Sequence, residues 1–376
     1  MAMAEEIVIP KDLKAFLTEV SESKSGFHLG EPWKYSDKAL AVVVPILREN
    51  SPDRLYITMY EVLKQLGIND TGHIDRVEMQ NRAGKPVFVR AGTIFEGNTQ
   101  SRAAEHSGIY EPGKVDIPVR CVHQTHGIAT GAQMKFGDIA PLSVTSELIG
   151  DRGQGAVWHS VQSYNFFQAG LVGNSPRSAP CNVEPISHSL TMNRGSRGSS
   201  LYSGSYGEVG GNSIWGTGSS ETTFTGGSFF NTTGSINTDL LGTMRATNAG
   251  KKALDEMMQK VPLFPDQVGA IIFDPIGVMA VESFDSPKSW EAIKKEIIEK
   301  YGDQVTNEQA EHLFELKPEK IRPLLKKFIQ GMDKFEEKTI RKDELSETRA
   351  VKGEGVVGEY TLIRNRVMHT ILVRAG

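Results

Sequence analysis

Apolar positions along the chain fall into two rhythms that do not alternate regularly. Near the N-terminus Leu13, Phe16, Leu17 and Val20 recur at helical spacing, which predicts an amphipathic lead-in over residues 1–37. Lys38–Leu47 is almost continuously apolar, and its β-branched content predicts a buried strand, with Pro45 marking an early end or an edge. Thr58–Leu66 reads as a helix opened by a Thr58/Glu61 capping box and closed by Gly67. Ile74–Gln80 and Pro86–Phe95 read as two arms of a hairpin about the turn at 81–86. Val115–Val122 is a further strand, Gly127–Gly155 has no clean period, and Ala156–Phe167 reads as a short helix.

The second half repeats the hairpin theme. Gln267–Asp274 with Gly277–Glu282, and Gly358–Ile363 with Val367–Val373, are predicted antiparallel pairs. Helices are predicted over Lys251–Val261, Ser286–Tyr301 and Asn307–Leu316. Ser286 and Pro287 supply a start signal for the second of these. The 304–347 segment reads as charged helix. Its mixed signs suit a solvated face, and Ile321, Leu324, Leu325 and Phe328 require a partner surface. Hairpins without a βαβ rhythm predict an α+β fold: an antiparallel, hairpin-built sheet with flanking helices over 38–373.

Composition changes that picture in one place. Residues 174–238 are dominated by Gly, Ser, Thr and Asn, punctuated by Tyr202, Tyr206, Trp215, Phe224, Phe229 and Phe230. This long Gly/Ser/Thr-rich insertion reads either as a flexible linker or as a segment that orders on a neighbouring copy. Elsewhere, 39% hydrophobic and 23% charged residues in a 376-residue chain provide a sizeable core. A net charge of −4 disfavours general nucleic-acid binding. No apolar run reaches membrane-spanning length, the start lacks signal-peptide character, and two cysteines make no disulfide framework. The expected location is the cytoplasm.

Candidate chemistry concentrates at Arg90–Arg102. Gly92 and Gly97 bound a turn whose backbone could approach a ligand. Gln100 and Arg102 suit a polar or phosphate edge, and Glu96 suits a base or a ribose hydroxyl. The plainer alternative is a strand–turn in which Glu96 and Arg102 pair with each other. Cys121, His123, His126 and His159 form a second group, open to acid–base, thiol or metal chemistry. Without a clear fourth ligand no metal is assigned, and buried thiol and ordinary loop histidines are the simpler reading. Glu282 and Asp285 suggest paired carboxylates, although capping of the next helix by Asp285 or Ser286 is simpler. No dinucleotide or P-loop glycine motif is present.

Several short stretches occur in the order of one known family. Gly92, Glu96, Gly97, Gln100 and Arg102 match its Gly-acidic turn, and Ile117–Val122 matches its Pro-Val and Cys-Val strand. Gln154–Trp158 matches its helix entry, and Val268–Ile272 through Phe284–Pro287 its second hairpin. The chain thus resembles the ARPP family, proteins associated with ADP-ribosylglycohydrolases and the rhodanese/phosphatase superfamily. His123 and His126 stand where that family carries an acidic residue and a Trp. The resemblance implies a link to NAD or ADP-ribose metabolism with no established reaction or cofactor. Two functions follow as expectations. One is an enzyme or binding protein for a nucleotide-like or ADP-ribose-like phosphate, with Glu96, His123 and His126 as catalytic candidates and Gly92, Gly97, Gln100 and Arg102 as ligand contacts. The other is a non-catalytic homo-oligomer assembled through the insertion.

Overall fold

The computed structural model describes residues 10–34, 41–98, 100–123, 131–172, 223–224, 227–228, 239–247, 261–262, 264–302 and 315–374. Two β assemblies organise them. A nine-stranded antiparallel sheet runs in the order Phe27–Leu29, Val42–Arg48, Gln267–Asp274, Gly277–Phe284, Arg366–Arg374, Val356–Ile363, Ser346–Gly353 and Glu336–Lys342, with Trp33–Lys34 also paired to Val42–Arg48. A closed barrel runs Gly113–Cys121, Arg76–Asn81, Leu66–Asp70, Gln133–Ile139, Thr93–Glu96 and Arg102–Ala104. The barrel is threaded between the second and third strands of the large sheet, so the sheet closes only when the chain returns at Gln267.

The central strands of the large sheet are buried on both faces, which explains the near-continuous apolar runs of Val42–Arg48 and Gln267–Asp274. Along Val42–Arg48, Val42, Val44 and Ile46 meet one core while Val43 meets another, following the period of two. The first core is closed by Leu13, Phe16, Leu17 and Val20 of helix Leu13–Glu22 and by Ile321, Leu325 and Ile329 of helix Pro318–Gly331. Asp12 caps the former by accepting the Ala15 N–H at 2.7 Å. The second core is closed by Leu142 and Ile149 of helix Leu142–Ile149, and by Trp290, Ile297 and Tyr301 from helices Pro287–Glu291 and Lys294–Gly302. The α+β class holds, with helices on both faces.

Pro45 ends no strand. Its carbonyl accepts from Gly30 N–H at 2.9 Å, so its nitrogen faces the break between Phe27–Leu29 and Trp33–Lys34, where a missing donor costs little. The two expected C-terminal hairpins form. The second turns at Arg364 and Asn365, both left-handed (φ 48° and 61°), as a tight two-residue hairpin requires.

Four expectations are corrected. Thr58–Leu66 is not a helix. Glu61 does reach back to Thr58 N–H at 2.8 Å, but only single 3₁₀ turns follow before strand Leu66–Asp70, whose Ile68 joins Val77 and Met79 in the barrel core. Arg76–Asn81 does not pair with the segment after it; it pairs with Leu66–Asp70 and Gly113–Cys121. The supposed return arm splits at the Gly92 turn into Val87–Val89 and Thr93–Glu96, which serve different sheets. The charged helix stops at Gly331, and Glu336–Lys342 and Ser346–Gly353 pair as strands. Their turn is fixed by Asp343, which accepts the Ser346 N–H at 2.7 Å. The aperiodic 127–155 stretch holds strand Gln133–Ile139 and helix Leu142–Ile149.

Residues 251–260 and 303–314, expected to be helical, lie outside the described residues. So does the insertion, apart from the paired dipeptides Thr223–Phe224 and Gly227–Ser228. Among the described residues no helix is long and apolar enough to cross a membrane.

Candidate functional site

The Gly92–Arg102 turn is held by its own chain. Gly92 has φ +78°, and a Cβ there would lie 2.7 Å from Thr145 Oγ1, so this glycine permits close packing on helix Leu142–Ile149. A Cβ at Gly97 would lie 2.6 Å from the Gln100 carbonyl. Arg102 has no solvent exposure. Its Nη2 donates to Asp70 Oδ2 at 2.9 Å, Nη1 to the His73 and Arg76 carbonyls at 2.6 and 3.0 Å, and Nε to Gln100 Oε1 at 3.3 Å. Glu96 does not meet it: Arg245 donates to both Glu96 oxygens at 2.6 and 2.7 Å, and this bond holds the carboxyl below its ordinary value.

Gln100 and Arg102 do come together with Cys121 and His123. Gln100 Nε2 lies 3.5 Å from the His123 carbonyl, to which Cys121 Sγ donates at 2.8 Å. Burial pushes the Cys121 thiol up, which disfavours a reactive thiolate. Burial also lowers His159 on helix Gln154–Val172. His126 lies outside the described residues. Among the described residues no group of three or more His, Cys, Asp or Glu side chains is arranged to hold a metal ion.

The two carboxylates at the end of strand Gly277–Phe284 part company. Glu282 has no solvent exposure. Arg90 grips it through Nε and Nη2 at 2.5 and 2.8 Å, Tyr301 O–H donates at 2.5 Å, and His369 Nε2 lies 3.4 Å away. Burial opposes ionisation there, but the Arg90 charge and hydrogen bonds outweigh it and lower the carboxyl to about 2. This cluster ties the segment after Val87–Val89 to the large sheet.

Asp285 is 2% exposed and receives only the Tyr56 O–H, at 2.8 Å, on Oδ1. Its Oδ2 has no hydrogen-bond partner, and Arg366 Nη2 stands 4.0 Å away. Burial pushes this carboxyl up to about 6, only partly offset by the Tyr56 hydrogen bond and the Arg366 and Arg48 charges. Neither Asp285 nor Ser286 caps the next helix through its side chain as expected. Asp285 turns to Tyr56, and Ser286 makes no capping bond.

Arg366 also lines an open cleft of about 530 Å³, together with Lys11, Asp53, Leu55, Arg364 and Asn365. Three hydrogen bonds assemble it. Val367 N–H donates to the Pro10 carbonyl at 2.9 Å, which brings Lys11 alongside. Asp285 N–H donates to the Met368 carbonyl at 2.8 Å. Arg366 Nη2 donates to the Asp53 carbonyl at 2.8 Å. The lining carries three cations against one acid, and Arg48, 2% exposed, adds positive charge beside Asp285.

Sequence reasoning singled out Asp285 but none of its partners. The available signal is the Arg364-Asn365-Arg366 turn between Gly358–Ile363 and Val367–Val373, which sets two arginines at one hairpin tip.

No curated protein and no solved structure matches the chain. The family described as ARPP-1, the ARG and Rhodanese-Phosphatase-superfamily-associated Protein domain, matches residues 26–373. That span takes in the large sheet, the barrel and every lining residue of the cleft except Lys11, and the chain belongs to the ARPP-1 family.

Proposed function

We propose that this protein binds a small phosphate-bearing ligand, nucleotide-like or ADP-ribose-like, in the cleft formed by Lys11, Arg364 and Arg366. The observation that carries the reading is the convergence of these three cations on one open cleft with a single lining acid, Asp53. Arg364 and Asn365 are exposed at the hairpin tip, so their polar groups are free of the packing that occupies Arg102. Charge-assisted hydrogen bonds to a phosphate contribute about 1.5–3 kcal/mol each, enough for specific binding from two or three contacts.

Asp285 lies behind Arg366, 4.0 Å from its Nη2, and so acts on such a site through that cation and not as its acid–base group. Glu96 and His123, expected in that role from the sequence, stand in or beside the barrel, with Glu96 already paired to Arg245. The ligand class expected from the sequence is therefore retained, and the residues that would hold it are different ones. The self-assembly reading rests on residues 174–238, nearly all outside the described residues.

The test is ligand-induced stabilisation. A ligand that binds only the folded state raises the melting temperature. Ribose phosphates and ADP-ribose are expected to do so for the wild type and to lose that effect in Arg364→Ala/Arg366→Ala. An equal shift in the double variant would remove the cleft from consideration.

A further inference from the structure

The Asp285–Arg366 relation has a geometry that neither packing nor pairing explains. The carboxylate has one oxygen satisfied by Tyr56 and one, Oδ2, without a partner. Arg366, one of the cations that line the cleft, likewise has Nε buried and unpartnered. The two groups stand 4.0 Å apart between Oδ2 and Nη2, which is too long for a hydrogen bond and short enough for strong charge coupling. A packed core ordinarily satisfies both groups or replaces them. Here Arg366 Nη2 donates to the Asp53 carbonyl at 2.8 Å, and the guanidinium and the Asp285 carboxylate stand as a long ion pair behind the cationic cleft that Arg366 lines.

We propose that Asp285 sets the affinity of this cleft for anions through its hold on Arg366. Ionised, the carboxylate competes with the ligand for the guanidinium; protonated, it leaves Arg366 to the ligand. Asp285 is thus a positioning residue that need not touch the ligand, and anion binding takes up a proton. The inference rests on the reading of the cleft as an anion site.

The groups that face Asp285 support this assignment. From the crossing segment, Tyr56 donates to Oδ1, and Arg54 behind it is occupied by Glu61 at 2.6 and 2.9 Å. From strand Val42–Arg48, Arg48 adds a charge, and its guanidinium lies 4.5 Å from the centre of the Phe27 ring. From strand Arg366–Arg374, Arg366 faces Oδ2, whereas His369 turns to Glu282 in the interior. From helix Leu13–Glu22, Glu19 faces Arg48, and burial pushes its carboxyl up as well. Two carboxylates therefore deserve to be separated by experiment. Only Asp285 lies against a cation of the cleft.

The probe is sulfate, whose charge does not change between pH 5 and 7.5, titrated at constant ionic strength into the full-length protein and its variants. For the wild type, affinity is expected to fall about tenfold across that range, since one linked proton changes a binding constant by at most ~10-fold per pH unit. Asp285→Asn is expected to bind at the tight, low-pH level throughout. Tyr56→Phe, which removes the O–H that steadies the ionised carboxylate, is expected to move the midpoint to higher pH, and it keeps the test available where Asp285→Asn folds poorly. Glu19→Gln is expected to retain the wild-type slope. Sulfate binding with the same slope in wild type and Asp285→Asn, or a slope lost in Glu19→Gln, overturns the inference and leaves the anion site standing. Absence of sulfate binding at every pH overturns both.

Discussion

The side chain of Gln154 pairs with the backbone of Cys121 as a neighbouring strand would. Its Oε1 accepts the Cys121 N–H at 2.9 Å, and its Nε2 donates to the Cys121 carbonyl at 2.7 Å. One amide thus joins the start of helix Gln154–Val172 to the end of strand Gly113–Cys121. Two of the short stretches that carry the family resemblance, Ile117–Val122 and Gln154–Trp158, meet at this contact. Gln154→Ala strands a buried donor and a buried acceptor, each costing about 1–3 kcal/mol. Urea unfolding is expected to give a loss of roughly 2–4 kcal/mol. A loss below about 0.5 kcal/mol would mean that water or a shifted backbone satisfies Cys121.

Glu282 and Asp285 give opposite pH dependences. Glu282 is lowered in the folded state to about 2 from an ordinary 4.5, so its stabilisation is complete above pH 4.5 and is lost as pH falls toward 2. Asp285 is raised to about 6 from 3.8. The folded state therefore binds the extra proton between those values, and stability falls as pH rises through that window. Asp285→Asn is expected to be more stable than wild type at pH 7, with the difference closing by pH 4. Equal stability of the two proteins at pH 7 would show that Arg366 and Arg48 already compensate the buried charge.

Arg90→Ala leaves Glu282 buried without its bidentate partner. Removal of one member of such a pair costs about 3–5 kcal/mol, and Tyr301 and His369 recover only part of it. Equilibrium denaturation checks this. Arg90→Ala/Glu282→Gln is expected to be less damaged than Arg90→Ala alone, because the stranded charge is gone.

Gly92→Ala tests whether the turn is there for packing. The methyl group would sit 2.7 Å from Thr145 Oγ1 at a φ of +78°, and a strain of about 1–3 kcal/mol is expected. Thr145→Ala is expected to relieve the contact but not the backbone strain, so the double variant recovers only part of the loss. Full recovery would assign the whole effect to the clash.

The parts legible in the sequence are those whose pattern is local. Val42–Arg48 and Gln267–Asp274 announce themselves because strands buried on both faces read as near-continuous apolar runs. The Thr58–Glu61 contact was legible as a motif but not as a helix. The decisive partners of Ile68 are Val77 and Met79, and a three-strand pairing is invisible to a 3.6-residue window. Glu336–Lys342 was hidden for a related reason: as an edge strand it is mostly exposed and charged, and so resembles a solvated helix face. The candidate cleft was the least legible feature. Lys11, Asp53, Asp285 and Arg366 are brought together only by the return of the chain to one end of the sheet. The divergence of Glu282 from Asp285 depends on Arg90 and Tyr56, 192 and 229 residues away.

The most direct measurement compares ligand-induced stabilisation by ADP-ribose and ribose phosphates in three proteins: wild type, Arg364→Ala/Arg366→Ala and Arg102→Ala. Arg102→Ala is expected to be less stable by about 3–5 kcal/mol, because Asp70 loses its buried partner, and yet to show a shift as large as wild type wherever it is folded. The double variant is expected to lose some stability, because Arg366 gives up its bond to the Asp53 carbonyl and its charge beside Asp285, and to lose the shift while still folded. A shift retained in Arg364→Ala/Arg366→Ala and lost in folded Arg102→Ala would contradict the cleft assignment and return the ligand to the Gly92–Arg102 turn.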